Sequence, residues 1–309
     1  MSLALADLNY TYKDCLIASQ KVCWTVEEVI KNRNLDFTKP FIPESLAMTD
    51  RISCLNSQEK MTLNHIRGKT YAYLFRFVEE FIIPQVIDQA ASVKHKHSEQ
   101  LWSLLRFAEE EMKHQELFST VETIFQKDFS SDVTLASDPS AVAKVVLSKS
   151  STSVLMLTCM LEWMTQKHYM DSFRSQEKKI DPVFEDVFKY HWLEECQHAR
   201  IDTLELFNEA KEISLEKREH AVDEMIEILT AFDQILLEQV ELDIRSLERS
   251  LNKNFSEIEK KEIRHHQQNS YRWTFFISGL EHKKFQHILQ SLTVNGVKKI
   301  EKFMMNYKN

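Results

Sequence analysis

An all-α fold of long helices is what this chain predicts, on three observations. Glycine and proline are scarce, with 3 Gly and 5 Pro in 309 residues. Strands need turns and turns draw on those two residues, so all-β and nucleotide-binding α/β folds are disfavoured. Apolar residues recur in steps of three and four rather than two. Helix-start signals stand at the head of several of these stretches.

Residues 1–55 hold one short amphipathic stretch, from about Tyr12 to Lys31, and then a loop with Pro40 and Pro43. Asn56 and Glu59 have capping-box spacing and open a first long helix running to about Ser92. Tyr73, Phe77, Glu80, Pro84 and Ile87 fall on one stripe of it. A second helix starts near Ser98 and ends near Lys127, and a Ser- and Asp-rich loop follows. Asp138-Pro139 supplies a cap and a first-turn proline for a short helix. A third long helix runs from about Thr152 to Phe173, and Asp181-Pro182 opens a fourth to about Ala210. Two more long helices are expected beyond it. One carries Met225, Leu229, Phe232, Leu236 and Val240 on a stripe, and the other is opened by Ser256 and Glu259. The expected organisation is an N-terminal helix and loop over 1–55, a four-helix bundle over 56–210, and a helical C-terminal extension over 211–309, the outer two packed on the bundle.

The formal net charge is −8, and the paired lysines are scattered, so nothing offers a footprint for nucleic acid. No run reaches the roughly 18 apolar residues of a membrane span. The opening MSLALADLNY lacks the basic and long apolar regions of a signal peptide. Five cysteines with no CxxC spacing read as reduced thiols, which places the expected location in the cytoplasm.

The interior of a bundle should be apolar, so acids and imidazoles on buried stripes need partners. Glu111 and His114 stand three apart on the second helix, and Glu195 and His198 three apart on the fourth. Residues i and i+3 share a helix face, so each pair can aim a carboxylate and an imidazole at one point. One Glu on each of two further helices completes the pattern of a carboxylate-bridged dimetal site. Helix one offers Glu79-Glu80, and Glu80 is preferred because it lies on the apolar stripe and ends its acidic run. Helix three offers Glu162, the only acidic residue between Asp138 and Asp171. A third Glu-x-x-His, Glu262 to His265, has polar surroundings and reads as a solvated face. His191, four residues before Glu195, shares the stripe of the fourth-helix pair. Asp202, four after His198, is a candidate to orient the imidazole. Tyr73, Trp163, Tyr169, Tyr190 and Trp192 read chiefly as core. The stretch SYRWTFFISGLEHKKF reads as packing or as the interface of a homodimer.

The ordered glutamates and paired Glu-x-x-His motifs resemble the ferritin-like di-iron carboxylate superfamily, across roughly residues 60–210. With its extra histidine the pattern is similar, within that superfamily, to the p-aminobenzoate N-oxygenase family. The resemblance implies a ferritin-like four-helix bundle with additional C-terminal helices. It implies Glu80, Glu111, His114, Glu162, His191, Glu195 and His198 as ligands of two iron ions, or of manganese with iron. A non-haem di-iron oxidase or oxygenase would follow, with O2 and a small organic molecule as substrates and N-oxygenation among its reactions. A reductase or ferredoxin would supply electrons. Carboxylate and imidazole donors suit these metals, whereas thiolates favour zinc, and Cys196 points about 100° away from Glu195 along the helix. Alternatives are a ferroxidase or iron-storage protein, a radical-generating subunit like that of ribonucleotide reductase, a metal-dependent hydrolase, and a purely structural bundle.

Overall fold

The computed structural model describes residues 8–93, 97–129, 132–136, 139–176 and 178–307. Among them are helices and no strand. Two short helices come first, α1 (Tyr12–Ser19) and α2 (Val26–Ile30), and then the four-residue α3 (Glu44–Ala47). The single stretch expected to run to Lys31 is therefore two helices. The break has a local cause: Thr25 and Glu28 form a capping box that starts a second helix.

Four long helices follow the expected bounds closely: α4 (Ser57–Ser92), α5 (Ser98–Asp128), α7 (Ser151–His168) and α8 (Pro182–Glu212), with the short α6 (Pro139–Leu147) between the second and third. Asn56 Oδ1 accepts from the Glu59 amide and Glu59 Oε2 from the Asn56 amide, at 3.0 and 2.9 Å. Asp181 Oδ1 caps α8 by accepting from the Val183 and Phe184 amides, each at 2.9 Å, ahead of a first-turn proline. Its Oδ2 accepts from the Asp36 amide, which ties the N-terminal loop to the bundle. Asp138, the expected cap of α6, lies outside the described residues. Helix α7 continues into a π-helical turn over Tyr169–Phe173. The expected bundle is formed: α4 packs along α5, α7 along α8, α5 on α8 and α4 on α7.

The C-terminal third departs from two helices. Helix α9 (Leu215–Leu251) lies across α4 and α7 with Met225, Leu229, Leu236 and Val240 fully buried. Helix α10 (Glu257–Arg272) opens at the expected Ser256–Glu259 capping box. It gives way to a π turn over Trp273–Ile277, then to α11 (Ser278–Leu280), α12 (Lys283–Leu292) and α13 (Val294–Met305). The side chains of His282 and Thr293 cap the last two and so start them afresh. Gly279 lets α11 lie close on α7, because a Cβ there would stand 2.9 Å from Met160 Sδ. Tyr271, Phe275, Phe276 and Leu280 are 0–1% exposed, so the aromatic stretch is packing within the chain.

A buried polar knot joins this extension to the bundle. The Arg67 guanidinium of α4 lies 3.3 Å over the Tyr271 ring and donates to Ser270 Oγ at 3.1 Å. Asp243 of α9 accepts from Tyr271 Oη, from Gln239 at 2.8 Å and from Thr70 at 3.3 Å. Burial raises the Asp243 carboxyl against the pull of Arg67. Among the described residues no single helix is long and apolar enough to cross a membrane.

Candidate metal centre

The two Glu-x-x-His runs meet in the bundle interior. The i, i+3 spacing puts Glu111 and His114 on one face of α5, and Glu195 and His198 on one face of α8, with His191 a turn earlier. Three imidazoles converge on one oxygen. Glu195 Oε1 lies 3.0 Å from His191 Nε2, 3.1 Å from His114 Nδ1 and 3.4 Å from His198 Nδ1. Glu111 Oε1 stands 2.9 Å from His198 Nδ1 and 3.6 Å from His114 Nδ1.

Helix one contributes Glu79, not Glu80. Glu79 Oε1 is 3.1 Å from His191 Nε2 and the residue is buried, while Glu80 is only half-buried. The stripe that favoured Glu80 serves a different contact: Phe77 stacks on Phe232 of α9, outside the bundle, and Ile87 at its end is 50% exposed. Glu162 of α7 is buried, with the Glu195 and Glu111 carboxylates as the charges acting on it. The third motif is where its polar surroundings put it, with Glu262 at the surface accepting from Ser53.

The ligand-capable atoms fall into two overlapping buried groups, Glu79–His114–His191–Glu195 and Glu111–His114–Glu195–His198. Within each, one such atom per residue lies inside 4.8 Å of the others. Glu195 and His114 belong to both.

Sequence reasoning missed the layer around these residues. His198 Nε2 meets Glu110 Oε2 at 2.9 Å, and His114 Nε2 meets Glu194 Oε2 at 3.0 Å. Each imidazole is thus held by the acid that precedes the inward glutamate of the opposite helix. A proton on Nε2 leaves the Nδ1 lone pair aimed at the cluster. The signal was present as a doubled Glu in both motifs, Glu110-Glu111 and Glu194-Glu195. Arg106 and Ser19 hold Glu110 Oε1 at 3.0 and 2.5 Å, and Lys113 holds Glu194 Oε1 at 2.5 Å. Asp202 is not the partner of His198 Nε2, which Glu110 occupies. It is buried, and that burial pushes its carboxyl up to about 8.

Aromatic rings close the centre from water. Phe107 stacks on His198 at 3.9 Å, Trp24 on His114 at 6.1 Å, and Phe118 and Phe75 stand edge-on to His191 at 5.0 and 5.4 Å. The aromatics singled out in the sequence make other contacts, although Tyr169 lines a small cavity with His191 and Phe75. Trp163 stacks on His282, Tyr169 on Trp192, and Tyr190 packs on Trp24.

Charge follows from this crowding. Burial lifts Glu162, and the neighbouring Glu195 and Glu111 lift it further, well above the ordinary carboxylate range. Burial and Glu111 push Glu79 up to about 7 against the pull of His191. Burial raises Glu195 too, but His191 and His198 bring it well below the usual range. Burial lowers His114 and His198, yet their carboxylate partners carry both well above the normal imidazole value.

The residues fit a pair of divalent cations. Among the described residues both Glu111 oxygens, Glu162 Oε2, His114 Nδ1 and His198 Nδ1 are buried and crowd one another without making an aligned hydrogen bond, which native interiors seldom tolerate. Glu79, Glu111, Glu162 and Glu195 carry four negative charges when ionised, the number two divalent cations cancel. Donors are oxygen and imidazole nitrogen, and Cys196 is turned aside, donating to Gln166 Oε1 at 3.0 Å.

No family model matches the chain, and no curated protein matches it. Among solved structures it is similar to variants of an R2-like ligand-binding oxidase. One carries an anaerobically reconstituted Mn/Fe cofactor, with 15% identity and a TM-score of 0.44, over 87% of this chain and 93% of that one. Another carries a non-activated Mn/Mn cofactor, with 14% identity and a TM-score of 0.45 over the same shares. A likeness at that level assigns no activity.

The outer acids give a first expected result. Glu110→Gln or Glu194→Gln should weaken metal binding about 10–100-fold without loss of helix, because the imidazole loses the charge that makes it basic. Competitive chelator titration reads this directly. Unchanged affinity in both variants would deny these acids an orienting role.

Proposed function

We propose that this chain is a di-metal oxidase or oxygenase, using O2 to oxidise a small organic substrate, with N-oxygenation among the reactions. The reading rests on one observation: three imidazoles converge on Glu195 Oε1 in a buried interior that also holds Glu79, Glu111 and Glu162. Glu79, Glu111, His114, Glu162, His191, Glu195 and His198 would hold two iron ions, or manganese with iron. Such a pair, when bound, supplies electrons for the reduction of O2 while the organic substrate is oxidised.

The chain's own groups do the rest. Glu195, common to both groups, would serve both ions, and Glu79 and Glu111 would each serve one. Glu110 and Glu194 keep protons on the outer imidazole nitrogens, so that the inner ones stay donors. Arg106 and Lys113 balance those two acids and keep the added charge from spreading inward. Trp24, Phe107, Phe75 and Phe118 exclude water, which strengthens every electrostatic interaction inside. The third imidazole, His191, supports the resemblance to p-aminobenzoate N-oxygenases. An electron-donor reductase or ferredoxin is the proposed partner, and the cytoplasm the proposed location.

The test is metal analysis of protein from iron-supplemented growth, followed by O2 uptake after anaerobic reduction. The expected result is close to two ions per chain and O2 consumed by the reduced form. Metal-free protein would end the reading. Full activity with zinc in the absence of O2 would replace it with a hydrolase, and a hollow assembly of many subunits would replace it with iron storage.

A further inference from the structure

Between α4, α7 and α9 and under α6 lies a cavity of about 240 Å³. Every described residue that lines it is apolar, among them Phe77 and Phe81 of α4, Val145 of α6, Leu161 of α7, and Ile228 and Phe232 of α9. Water needs two to four polar partners to settle in such a space and finds none here. Left empty, such a half-open apolar space leaves its lining atoms without contacts that an apolar occupant would restore.

The position ties the cavity to the centre. Val78 and Leu161 line it, and the next residue on each helix, Glu79 and Glu162, belongs to the acidic cluster. Successive residues on a helix point about 100° apart, so the cavity and the carboxylates occupy neighbouring faces of α4 and of α7. The roof is thin. Helix α6 has the sequence PSAVAKVVL, and its Val145 lines the cavity while remaining 52% exposed.

We propose that this cavity binds an uncharged aryl group of the substrate, roughly two fused rings in size. The proposal deepens the oxidase reading above and rests on it. An apolar cavity of roughly 150 Å³ accepts benzene, so one of 240 Å³ has room for a larger ring system. Phe77 and Phe232 stack at 6.3 Å, and Phe275 meets Phe232 edge-on at 6.3 Å, a wall suited to aromatic faces and edges. A carboxylate would find no counter-charge in the lining and would be rejected. The substrate is thereby set apart from an aminobenzoate at this subsite.

The experiment compares naphthalene with 2-naphthoate on the purified, metal-loaded protein by calorimetry, with metal content and O2 uptake measured on the same samples. Naphthalene should bind, and naphthoate should bind at least about tenfold more weakly, as expected for a buried unpaired charge. Val145→Trp, at a half-exposed roof position, should fill the cavity and weaken naphthalene at least about tenfold while metal content stays unchanged. Ile228→Phe fills it from the opposite wall and should do the same. Absence of naphthalene binding, equal binding of naphthoate, or no effect of either filled variant would each overturn the proposal. Metal-free protein that still binds naphthalene would sink the oxidase reading and leave the subsite standing.

Discussion

Glu195→Ala should cost the protein both metal ions at once, while Glu80→Ala should cost it neither. The Glu195 carboxylate is the one acid present in both ligand groups, and its Oε1 is within 3.4 Å of a ring nitrogen of His114, His191 and His198. Alanine leaves three imidazoles facing a gap with no anion to balance a cation. Affinity should fall by more than the roughly 10–100-fold that follows loss of an outer-layer partner. Glu80, one residue beyond Glu79, is half-buried and turned from the cluster. Metal per chain, with circular dichroism to show that helices persist, reads both variants. Retention of metal by Glu195→Ala, or its loss from Glu80→Ala, would overturn the ligand assignment.

Asp243→Ala should destabilise the chain by about 3–5 kcal/mol, because three buried donors lose their acceptor at about 1–3 kcal/mol each. Arg67 is 0% exposed, and Asp243 is the acid in its polar knot, reached through the Tyr271 ring. Without that acid the Tyr271, Gln239 and Thr70 donors lose their acceptor, and Arg67 loses the attraction of a nearby carboxyl. Asp243→Asn keeps an acceptor and loses the charge, so it separates the two contributions. Denaturant unfolding of metal-free protein measures both without interference from the centre. A loss below about 1 kcal/mol for the alanine variant would show that the knot does not anchor the extension.

The local parts of this architecture were legible in the sequence. Caps at Asn56, Asp181 and Ser256 act within three residues of themselves, so their signals survive without tertiary context. The pairs Glu111–His114 and Glu195–His198 obey the same local rule. What escaped was set by neighbours distant in the chain. Glu79 and Glu80 differ only in what packs against each side of α4, and a single-helix stripe does not distinguish the bundle interior from the underside of α9. The pairing of Glu110 with His198 spans 88 residues and that of Glu194 with His114 spans 80, so neither follows from spacing along one helix. The breaks after Ser19 and before Lys283 are the exception, since Thr25 with Glu28 and then His282 cap them locally, and a reading by apolar stripe passes over such caps. The apolar cavity belongs to four helices together and leaves no mark on any one of them.

The crossed arrangement of Glu110 and Glu194 makes the two halves of the centre mechanically inseparable. Each helix both offers donors to the interior and clamps the donor of its opposite number. If α5 slid along α8 by a single turn, about 5.4 Å, both clamps would open together. Neither ion could then be retuned alone, and whatever alters the affinity at one position is transmitted to the other through the same pair of rods.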